Sequence, residues 1–467
     1  MIIVRFPPRY IVEKRYIVEV ILREFLGLQF EVLIESRTNW ALGESNSDKA
    51  IIIQDCLFQT PSTDWLKSNS LPKQPLKHWL VDKTDIFRKI KNQSIPVIFG
   101  KSLERGYFYQ ATEDLVRIGI DIFGSAFFML TRYEESIKRT RDQFDRFPAS
   151  ASLAHQENFL SRPIVNEYVE ILWTGLKTLW PQLKRKSQTF MVQVSHDVDI
   201  PYRYAFSGLH QLGRDVAVSC LKRRNIQQGL SQISSWHKVK SGLLHADPCN
   251  TFDWLMDQSE SAGLKSSFYF ITDHSDNSRD GDYHLYHPLM RRLLSHIHSR
   301  GHEIGLHPSF NTYLDVFQTR KEFEILKRVC LEESIDQSNW GGRQHYLRWR
   351  STETWQNWND VGLSYDSTVG FADFSGFRCG TCYEFSTYNL RTRKALKLIE
   401  RPLIVMECSI LDDRYMGLNH DLPQAFSHIS MLKNICRKFG GNFTLLWHNS
   451  RLENLEIKEL YQQVLSA

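Results

Sequence analysis

The stretch from 190 to 199 constrains the fold of this chain most strongly, because an apolar run passes directly into two carboxylates. The run Phe190–Val194 has the length and composition of a buried β-strand. Asp197 and Asp199 follow it, and side chains alternate along a strand, so both point the same way. Two carboxylates facing one space repel each other unless a cation or a proton lies between them. The pattern predicts one aspartate as a metal ligand and the other as a proton acceptor.

Two later segments repeat this pattern of a strand that ends in polar side chains. The segment Gly301–Ser309 delivers His307, and Leu445–Asn449 delivers His448. Because the carboxyl ends of parallel strands meet at one edge, we expect these histidines beside the acid pair. An aspartate and two histidines at three strand ends indicate a metallohydrolase site.

The alternation of strand and helix signals after residue 190 predicts an α/β class with a parallel sheet. Helices are predicted between six or seven strands, at 190–195, 265–271, 303–307, 346–349, 363–366, 402–407 and 442–447. This number of alternating elements is typical of a (β/α) barrel, in which catalytic residues lie at the carboxyl ends of the strands.

The chain is predicted to divide into two domains at the basic stretch Lys184–Gln188. Residues 1–186 have the signals of a smaller α/β domain, with a helix at 10–28 and short strands at 30–34, 50–53 and 95–99. Residues 187–467 form the predicted barrel. A helical insertion at about 203–246 interrupts it, and we interpret that insertion as a lid, a binding surface for an anionic carrier, or a plain solvated excursion.

Composition excludes several classes of protein. The hydrophobic fraction of 42% and the charged fraction of 24% are those of a globular protein. A net charge of +5 without a basic arm gives no case for nucleic-acid binding. No run approaches the length of a transmembrane helix, which leaves peripheral membrane contact open, and no signal peptide is evident. The eight scattered cysteines then indicate free thiols, and we expect a cytoplasmic protein.

From about 187 to 455 the sequence resembles the polysaccharide deacetylase family, also known as the NodB homology domain or carbohydrate esterase family 4. The matching motifs are His196–Asp199, Gly301–His307, Tyr346–Arg350 and Trp447–His448. The resemblance implies a distorted (β/α) barrel that uses a divalent metal, most commonly Zn²⁺, to remove an N-acetyl group. Its substrate would be an N-acetylated sugar, a glycan or a lipid-linked precursor. The first 185 residues resemble an α/β domain of some bacterial surface-polysaccharide proteins.

The resemblance also implies a role for each matched residue. Asp197 would be the general base, and Asp199 and His307 would be metal ligands. Arg348, in the third motif, would orient Asp197, and His448 would protonate the leaving nitrogen. These residue types suit amide hydrolysis, which needs an activated water, charge stabilisation and a proton donor.

The sequence departs from the family pattern at Asn311, where the family has a second ligating histidine four residues after His307. An amide oxygen is a poor transition-metal ligand beside imidazole and carboxylate. The third protein ligand therefore stays open among Asn311, His302, His196 and water. The predicted sugar-binding residues are Asp366, Arg378 and Trp447.

Two other functions stay open at this point. The same barrel type serves cyclic-amide and imide hydrolases, and the departure at Asn311 is compatible with one of them. A catalytically silent glycan-binding protein is the other alternative. The presence of Asp197, Arg348 and His448 argues against it, because a binding protein needs no base and acid together.

Overall fold

The computed structural model describes residues 1–45, 47–81, 89–90, 94–222, 224–452 and 454–466. In these residues the chain is a mixed α/β protein with two large sheets and one separate strand pair. Within the same ranges, none of the helices combines the length and the apolar character needed to cross a membrane.

The first sheet belongs to the N-terminal part and has six strands. They are β1 (Ile2–Phe6), β2 (Phe30–Ile34), β3 (Trp40–Glu44), β4 (Ala50–Ile53), β7 (Tyr109–Ala111) and β8 (Leu115–Ile118), in the order β2-β1-β3-β4-β8-β7. A separate antiparallel pair consists of β5 (Lys77–Leu80) and β6 (Ser94–Val97). The helices of this part are α1 (Ile11–Val18), which continues as a π-helical turn to Phe25, α2 (Ile122–Leu130), α3 (Leu153–Gln156) and α4 (Ile164–Leu179).

The second sheet has nine strands and carries the predicted site. Its strands are β9 (Met191–Val198), β10 (Ser266–Phe270), β11 (Glu303–Leu306), β12 (Gly341–Gly342), β13 (Tyr365–Asp366), β14 (Phe385–Asn389), β15 (Lys394–Glu400), β16 (Val405–Met406) and β17 (Asn442–Leu446). The helices are α5 (Leu209–Ala217), α6 (Ile226–Lys240), α7 (Phe252–Ser261), α8 (Pro288–Ser299), α9 (Val316–Glu332), α10 (Thr354–Val361), α11 (Glu407–Leu411), α12 (Leu422–Phe439) and α13 (Leu455–Ser466).

Eight of these nine strands are parallel and follow one another in chain order around the sheet. The order is β14-β15-β13-β12-β11-β10-β9-β17-β16, and only β14 pairs antiparallel. The two ends of the parallel set, β15 and β16, are consecutive in the chain, as in a (β/α) barrel opened at one seam. No strand pairing closes that seam among the described residues. The predicted α/β class is confirmed, and the deacetylase type of barrel stays a prediction.

Side-chain caps and glycines explain where the long helices of this part begin and end. The carboxylate of Asp315 accepts hydrogen bonds from the first free amides of α9, and Asp421 does the same for α12. Gly362 and Gly440 end α10 and α12 with φ of 85° and 70°, a conformation that glycine adopts at little cost.

The predicted strand at 346–349 is wrong. The strand in this position is β12 at Gly341–Gly342, and His345–Leu347 forms a 3₁₀ turn after it. A two-residue glycine strand has no apolar run to reveal it, whereas the apolar residues at 346–349 imitate a strand. Helix α5, a π-helical turn at Val218–Lys222 and α6 lie within the stretch predicted as an insertion.

The N-terminal part and the second sheet share one continuous apolar core. A buried ion pair also joins them, since the guanidinium of Arg378 donates to both carboxylate oxygens of Glu135 at 3.0 and 2.6 Å. Both side chains are about 2% exposed. The division into domains 1–186 and 187–467 stays a prediction, and the two regions are packed against each other.

Candidate active site

The carboxyl ends of five parallel strands bring the candidate catalytic residues together. Asp199 follows β9, His307 follows β11, and His448 lies two residues after β17. Two further residues come from strand ends where no ligand was predicted: His345 lies three residues after β12, and Glu407 follows β16. The strand order places all five at one edge of the sheet.

Three imidazoles converge on the carboxylate of Asp199. The Nε2 atoms of His307 and His345 lie 3.2 and 3.5 Å from its Oδ1 atom. The Nε2 atom of His448 lies 3.7 Å from its Oδ2 atom. The predicted trio of Asp199, His307 and His448 is therefore assembled, with His345 as a fourth member.

Each imidazole is oriented by a hydrogen bond from its other nitrogen. The Nδ1 atom of His307 lies 2.6 Å from the backbone carbonyl oxygen of Arg343. The Nδ1 atom of His345 lies 3.0 Å from the carboxylate of Asp280, which is itself buried and accepts backbone amides of neighbouring loops. Donation from Nδ1 leaves the lone pair on Nε2, which is the tautomer that a metal ligand needs.

Charge in this pocket shifts the pKa values of its members. Burial alone would raise the pKa of Asp199, but His345, His307 and His448 hold it well below its usual range. Burial alone would lower the pKa of His307, but the carboxylates of Asp197 and Asp199 raise it. Asp199 is therefore ionised at neutral pH and available as a ligand.

Arg343 holds the second carboxylate of the acid pair. Its Nη1 donates to Oδ1 of Asp197 at 2.8 Å, and both groups are almost completely buried. Its other nitrogens donate to the hydroxyls of Ser195 and Ser367 and to the carbonyl of Ser367, at 2.8 to 3.0 Å. The second oxygen of Asp197 lies 3.9 Å from Nε2 of His307 and faces the pocket. A guanidinium with four hydrogen bonds thus fixes the orientation of this carboxylate.

His448 is held by a carboxylate of its own. The Oε1 atom of Glu407 accepts hydrogen bonds from Nδ1 of His448 at 2.6 Å and from its backbone amide at 3.1 Å. Burial alone would lower the pKa of His448, but Glu407 and the Cys408 thiol raise it well above its usual value. The imidazole therefore stays protonated at neutral pH, as a proton donor requires.

The turn after β12 brings Arg343 and His345 into the pocket by a close approach of two strands. A Cβ on Gly342 would lie 1.8 Å from the carbonyl oxygen of Leu306, and one on Gly341 would lie 2.3 Å from the Tyr365 ring. The next residues, Tyr346 and Leu347, have φ of 60° and 55°, which side-chain-bearing residues rarely adopt. Backbone strain of this kind gathers at functional sites.

The residues present fit a divalent metal. Asp199, His307 and His345 offer three ligand atoms within 4.8 Å of one another. The Oδ1 atom of Asp199 is buried and has no hydrogen bond among the described residues, so a cation would satisfy it. One carboxylate and two imidazoles form a common catalytic zinc set that leaves a position for water.

The pocket opens into a cleft with many arginines. A cavity of about 730 Å³ contains Asp197, Asp199 and the three histidines, and the N-terminal part contributes Phe144 and Arg146 to its wall. A second cavity of about 720 Å³ lies on the other side, and the two share Asp199, His448 and several arginines. The arginines of the first cavity are Arg146, Arg203, Arg214, Arg279, Arg414 and Arg451. Carboxylates pair with five of these six arginines, namely Asp142 with Arg146, Asp215 with Arg203, Asp276 with Arg279, and Asp412 with both Arg414 and Arg451.

Arg348 does not orient Asp197 as predicted. Its guanidinium donates to the carbonyl oxygens of Phe144 and Phe310, and it stacks on the rings of Phe310 and Tyr313 at 3.9 Å. Arg343 makes the predicted contact instead, because the strand that delivers it ends at Gly342, seven residues before the predicted end at 349.

Asn311, the predicted third ligand, is not among the residues that line the cavity of Asp199 and His307. It is exposed, its amide nitrogen donates to the carbonyl of Ser275, and its oxygen accepts from Arg348 at 3.2 Å. His345 is the third member of the cluster with Asp199 and His307, and it comes from a different strand end. The other two candidates also lie outside the cluster: His196 bonds Trp447 and Ser266, and His302 bonds Ser266 and Glu260.

The three predicted sugar-binding residues are buried rather than in the cleft. Asp366 accepts hydrogen bonds from the amide and hydroxyl of Thr368 below the pocket. Arg378 bonds Glu135, and Trp447 donates to the carbonyl of Arg451 and packs in the core. These predictions rested on nearness to motifs in the sequence, and nearness in sequence does not fix the direction of a side chain.

Comparison with known proteins gives weak likenesses. No curated protein matches this chain. Among solved structures, a Mycobacterium smegmatis protein assigned as a polysaccharide deacetylase has a TM-score of 0.39 and 15% identity, over 60% of this chain and 84% of that one. PuuE allantoinase has a TM-score of 0.37 and 11% identity, over 60% of this chain and 83% of that one. A Pseudomonas aeruginosa PAO1 protein assigned as a polysaccharide deacetylase has a TM-score of 0.36 and 12% identity, over 67% of this chain and 90% of that one. With TM-scores below 0.5, none of them assigns a fold or an activity to this chain. Residues 2–181 match the model of a family of unknown function, DUF7033, and this match covers less than half of the chain.

Proposed function

We propose that this chain is a metal-dependent hydrolase that removes an N-acetyl group from a sugar on a glycan or a carrier. The observation that carries the proposal is that a proton acceptor and a proton donor both lie beside one candidate metal site. A carboxylate fixed by Arg343 lies on one side, and an imidazole held protonated by Glu407 lies on the other. Hydrolysis of an amide needs this combination of base and acid.

In this mechanism Asp199, His307 and His345 hold the metal. A divalent ion bound there would lower the pKa of water and polarise the acetyl carbonyl. Asp197 accepts the proton of the attacking water, and Arg343 keeps its carboxylate aimed into the pocket. His448 donates a proton from Nε2 to the amine nitrogen as the carbon–nitrogen bond breaks, while Glu407 stabilises the imidazolium from the Nδ1 side.

The cleft supports a substrate larger than one sugar and negatively charged. Two cavities of about 730 and 720 Å³ meet at Asp199 and His448, so groups on both sides of the reacting amide have room. Arg214 lines both cavities and forms no ion pair among the described residues, so its guanidinium suits a phosphate or carboxylate group, which it would bind with two parallel hydrogen bonds. A carrier-linked sugar of surface-polysaccharide synthesis has this chemistry, and the resemblance of the sequence to polysaccharide deacetylases supports it. The cytoplasmic location stays a prediction from the cysteines.

Acetate release tests the proposed reaction. Purified protein loaded with Zn²⁺ is incubated with N-acetyl sugars that are free, nucleotide-linked or lipid-linked, and released acetate is measured. We expect release from a linked substrate and a loss of about 10²–10⁴-fold in Asp197→Asn, because the general base is removed. Asp336→Asn, an exposed aspartate away from the cleft, is the matched control.

Two results contradict the proposal. Full activity in Asp197→Asn would remove the assigned base. Metal-loaded protein that releases no acetate but opens cyclic amides would favour the alternative hydrolase, whose chemistry uses the same groups. A silent glycan-binding protein has no need of the Arg343–Asp197 and Glu407–His448 pairs, and these pairs argue against it.

A further inference from the structure

The helical insertion exposes an unusual amount of apolar surface. Between 209 and 243, seven large apolar side chains are 40–81% exposed: Leu209, Val218, Leu221, Ile226, Leu230, Ile233 and Leu243. The insertion has its own small core of Tyr204, Leu212 and Val239, separate from the main one. These seven side chains therefore belong to neither apolar core. Their contact with water is unfavourable in free energy.

Helix α6 turns its apolar side outward. Ile226, Leu230 and Ile233 follow a spacing of four and three residues, which places them on one side of the helix. The opposite side carries serines and glutamines that line the second cavity: Gln228, Ser231, Gln232 and Ser235. A surface helix normally buries its apolar stripe, so α6 has the reverse arrangement for a helix in water.

The charge of the same segment is strongly positive. From 209 to 243 the sequence has six lysines and arginines and one acid, Asp215, which pairs with Arg203 outside the segment. Exposed basic residues flank the apolar side chains: Lys222, Arg224, Lys238 and Lys240. None of these four makes an ion pair among the described residues. Apolar side chains bordered by unpaired cations are typical of helices that lie at the surface of an anionic membrane.

We propose that the insertion docks on an anionic lipid surface through Leu221, the outer side of α6 and the flanking lysines and arginines. Docking would bury the outer apolar side chains at the boundary between the lipid headgroups and the acyl chains, while the polar side of α6 keeps lining the cavity that leads to His448. The entrance of the cleft would then lie at the membrane. This surface is independent of the proposed reaction, because none of its residues belongs to the metal pocket.

Vesicle sedimentation tests the docking. The full chain is mixed with vesicles of phosphatidylcholine alone or with an equimolar mixture of phosphatidylcholine and phosphatidylglycerol. We expect binding to the mixed vesicles that weakens as salt increases. Leu221→Ser with Leu230→Ser should weaken binding by about 10-fold or more, because two buried side chains are lost. Phe317→Ser with Leu331→Ser is the matched control, since both residues are equally exposed on α9.

Several outcomes would overturn the docking proposal. The first is that the chain does not bind the mixed vesicles. The others are that the insertion variant (Leu221→Ser with Leu230→Ser) binds as tightly as the wild type, or that the control variant loses as much vesicle binding as the insertion variant. A concentration-dependent dimer that the insertion variant abolishes would assign the surface to a second copy instead. Acetate release from a water-soluble substrate is measured separately, so that failure of the proposed reaction and failure of docking are distinguished.

Discussion

At the scale of single residues, Arg343 rather than Arg348 contacts Asp197, the proposed catalytic base. Arg343→Lys keeps a positive charge but loses the fork that joins Asp197, Ser195 and Ser367. We expect turnover to fall by about 10²-fold, because a displacement of the base by about 1 Å lowers the rate by that factor. Arg348→Lys should lose far less turnover, and both variants are compared by initial rates and by thermal unfolding. Equal losses in the two variants would remove the assigned role of Arg343.

His196 gives the fold a dependence on pH that can be separated from catalysis. Burial lowers its pKa to about 4, and its ring bonds Trp447 and Ser266 as a neutral group. In the unfolded chain the imidazole of His196 takes up a proton near its ordinary pKa of about 6.5, whereas in the folded chain it stays neutral down to about pH 4. The contribution of His196 to the free energy of unfolding is therefore fully present above pH 6.5 and is lost as the pH falls towards 4. The loss is about 3 kcal/mol over this window.

Urea unfolding at a series of pH values between 7 and 4 checks this prediction. His196→Gln should flatten the decline in the free energy of unfolding, because the titrating group is gone. His237→Gln, an exposed histidine of α6, should leave the decline as it is in the wild type. An unchanged slope in His196→Gln would contradict the assignment.

At the scale of elements, the glycine strand β12 decides where the site residues lie. Gly342→Ala would push β12 away from the carbonyl oxygen of Leu306 and displace Arg343 and His345 with it. We expect a destabilisation of about 1–3 kcal/mol, from overpacking, and weaker metal binding. Gly213→Ala, on α5 with open space around it, should cause no such loss. Both are measured by chemical unfolding and metal titration. If Gly342→Ala bound the metal as tightly as the wild type, the contact between Gly342 and Leu306 would not be what positions the metal ligands.

Residues that follow strongly apolar strands could be predicted from the sequence. Asp197, Asp199, His307 and His448 come after runs long enough to identify, and the structure brings them together. Arg343 and His345 follow only two glycines, so periodicity carried no signal for them. A signal for Glu407 existed, since it ends a strand that was predicted. The cleft residue Arg146 comes from a distant part of the chain, and only tertiary packing brings it there.

At the scale of the whole molecule, the N-terminal part and the sheet that carries the site share an apolar core and a buried ion pair. Burial alone would raise the pKa of Glu135, but Arg378 and Arg132 lower it to about 2. Glu135→Gln leaves two buried guanidinium groups short of a counter-charge, and we expect a destabilisation of about 3–5 kcal/mol. The pair of Glu353 and Arg391, with side chains 22% and 68% exposed, is the more solvated control, and Glu353→Gln should cost less than about 1 kcal/mol.

Thermal and chemical unfolding of the two variants measure this difference. The wild type should unfold in a single transition, because one apolar core spans both parts. Similar small losses in Glu135→Gln and Glu353→Gln, or separate transitions for the two parts, would show that the contact between them is weak.

The metal content of two single variants tests the central claim most directly. Asp199, His307 and His345 are assigned as the ligands, whereas Asn311 is exposed and bonded to Ser275 and Arg348. After dialysis against Zn²⁺ and removal of free metal, elemental analysis should find about one zinc per chain in the wild type and in Asn311→Ala. His345→Ala should lose most of it, because one of three protein ligands is gone. Retention of zinc by His345→Ala, together with its loss from Asn311→Ala, would contradict the assigned site.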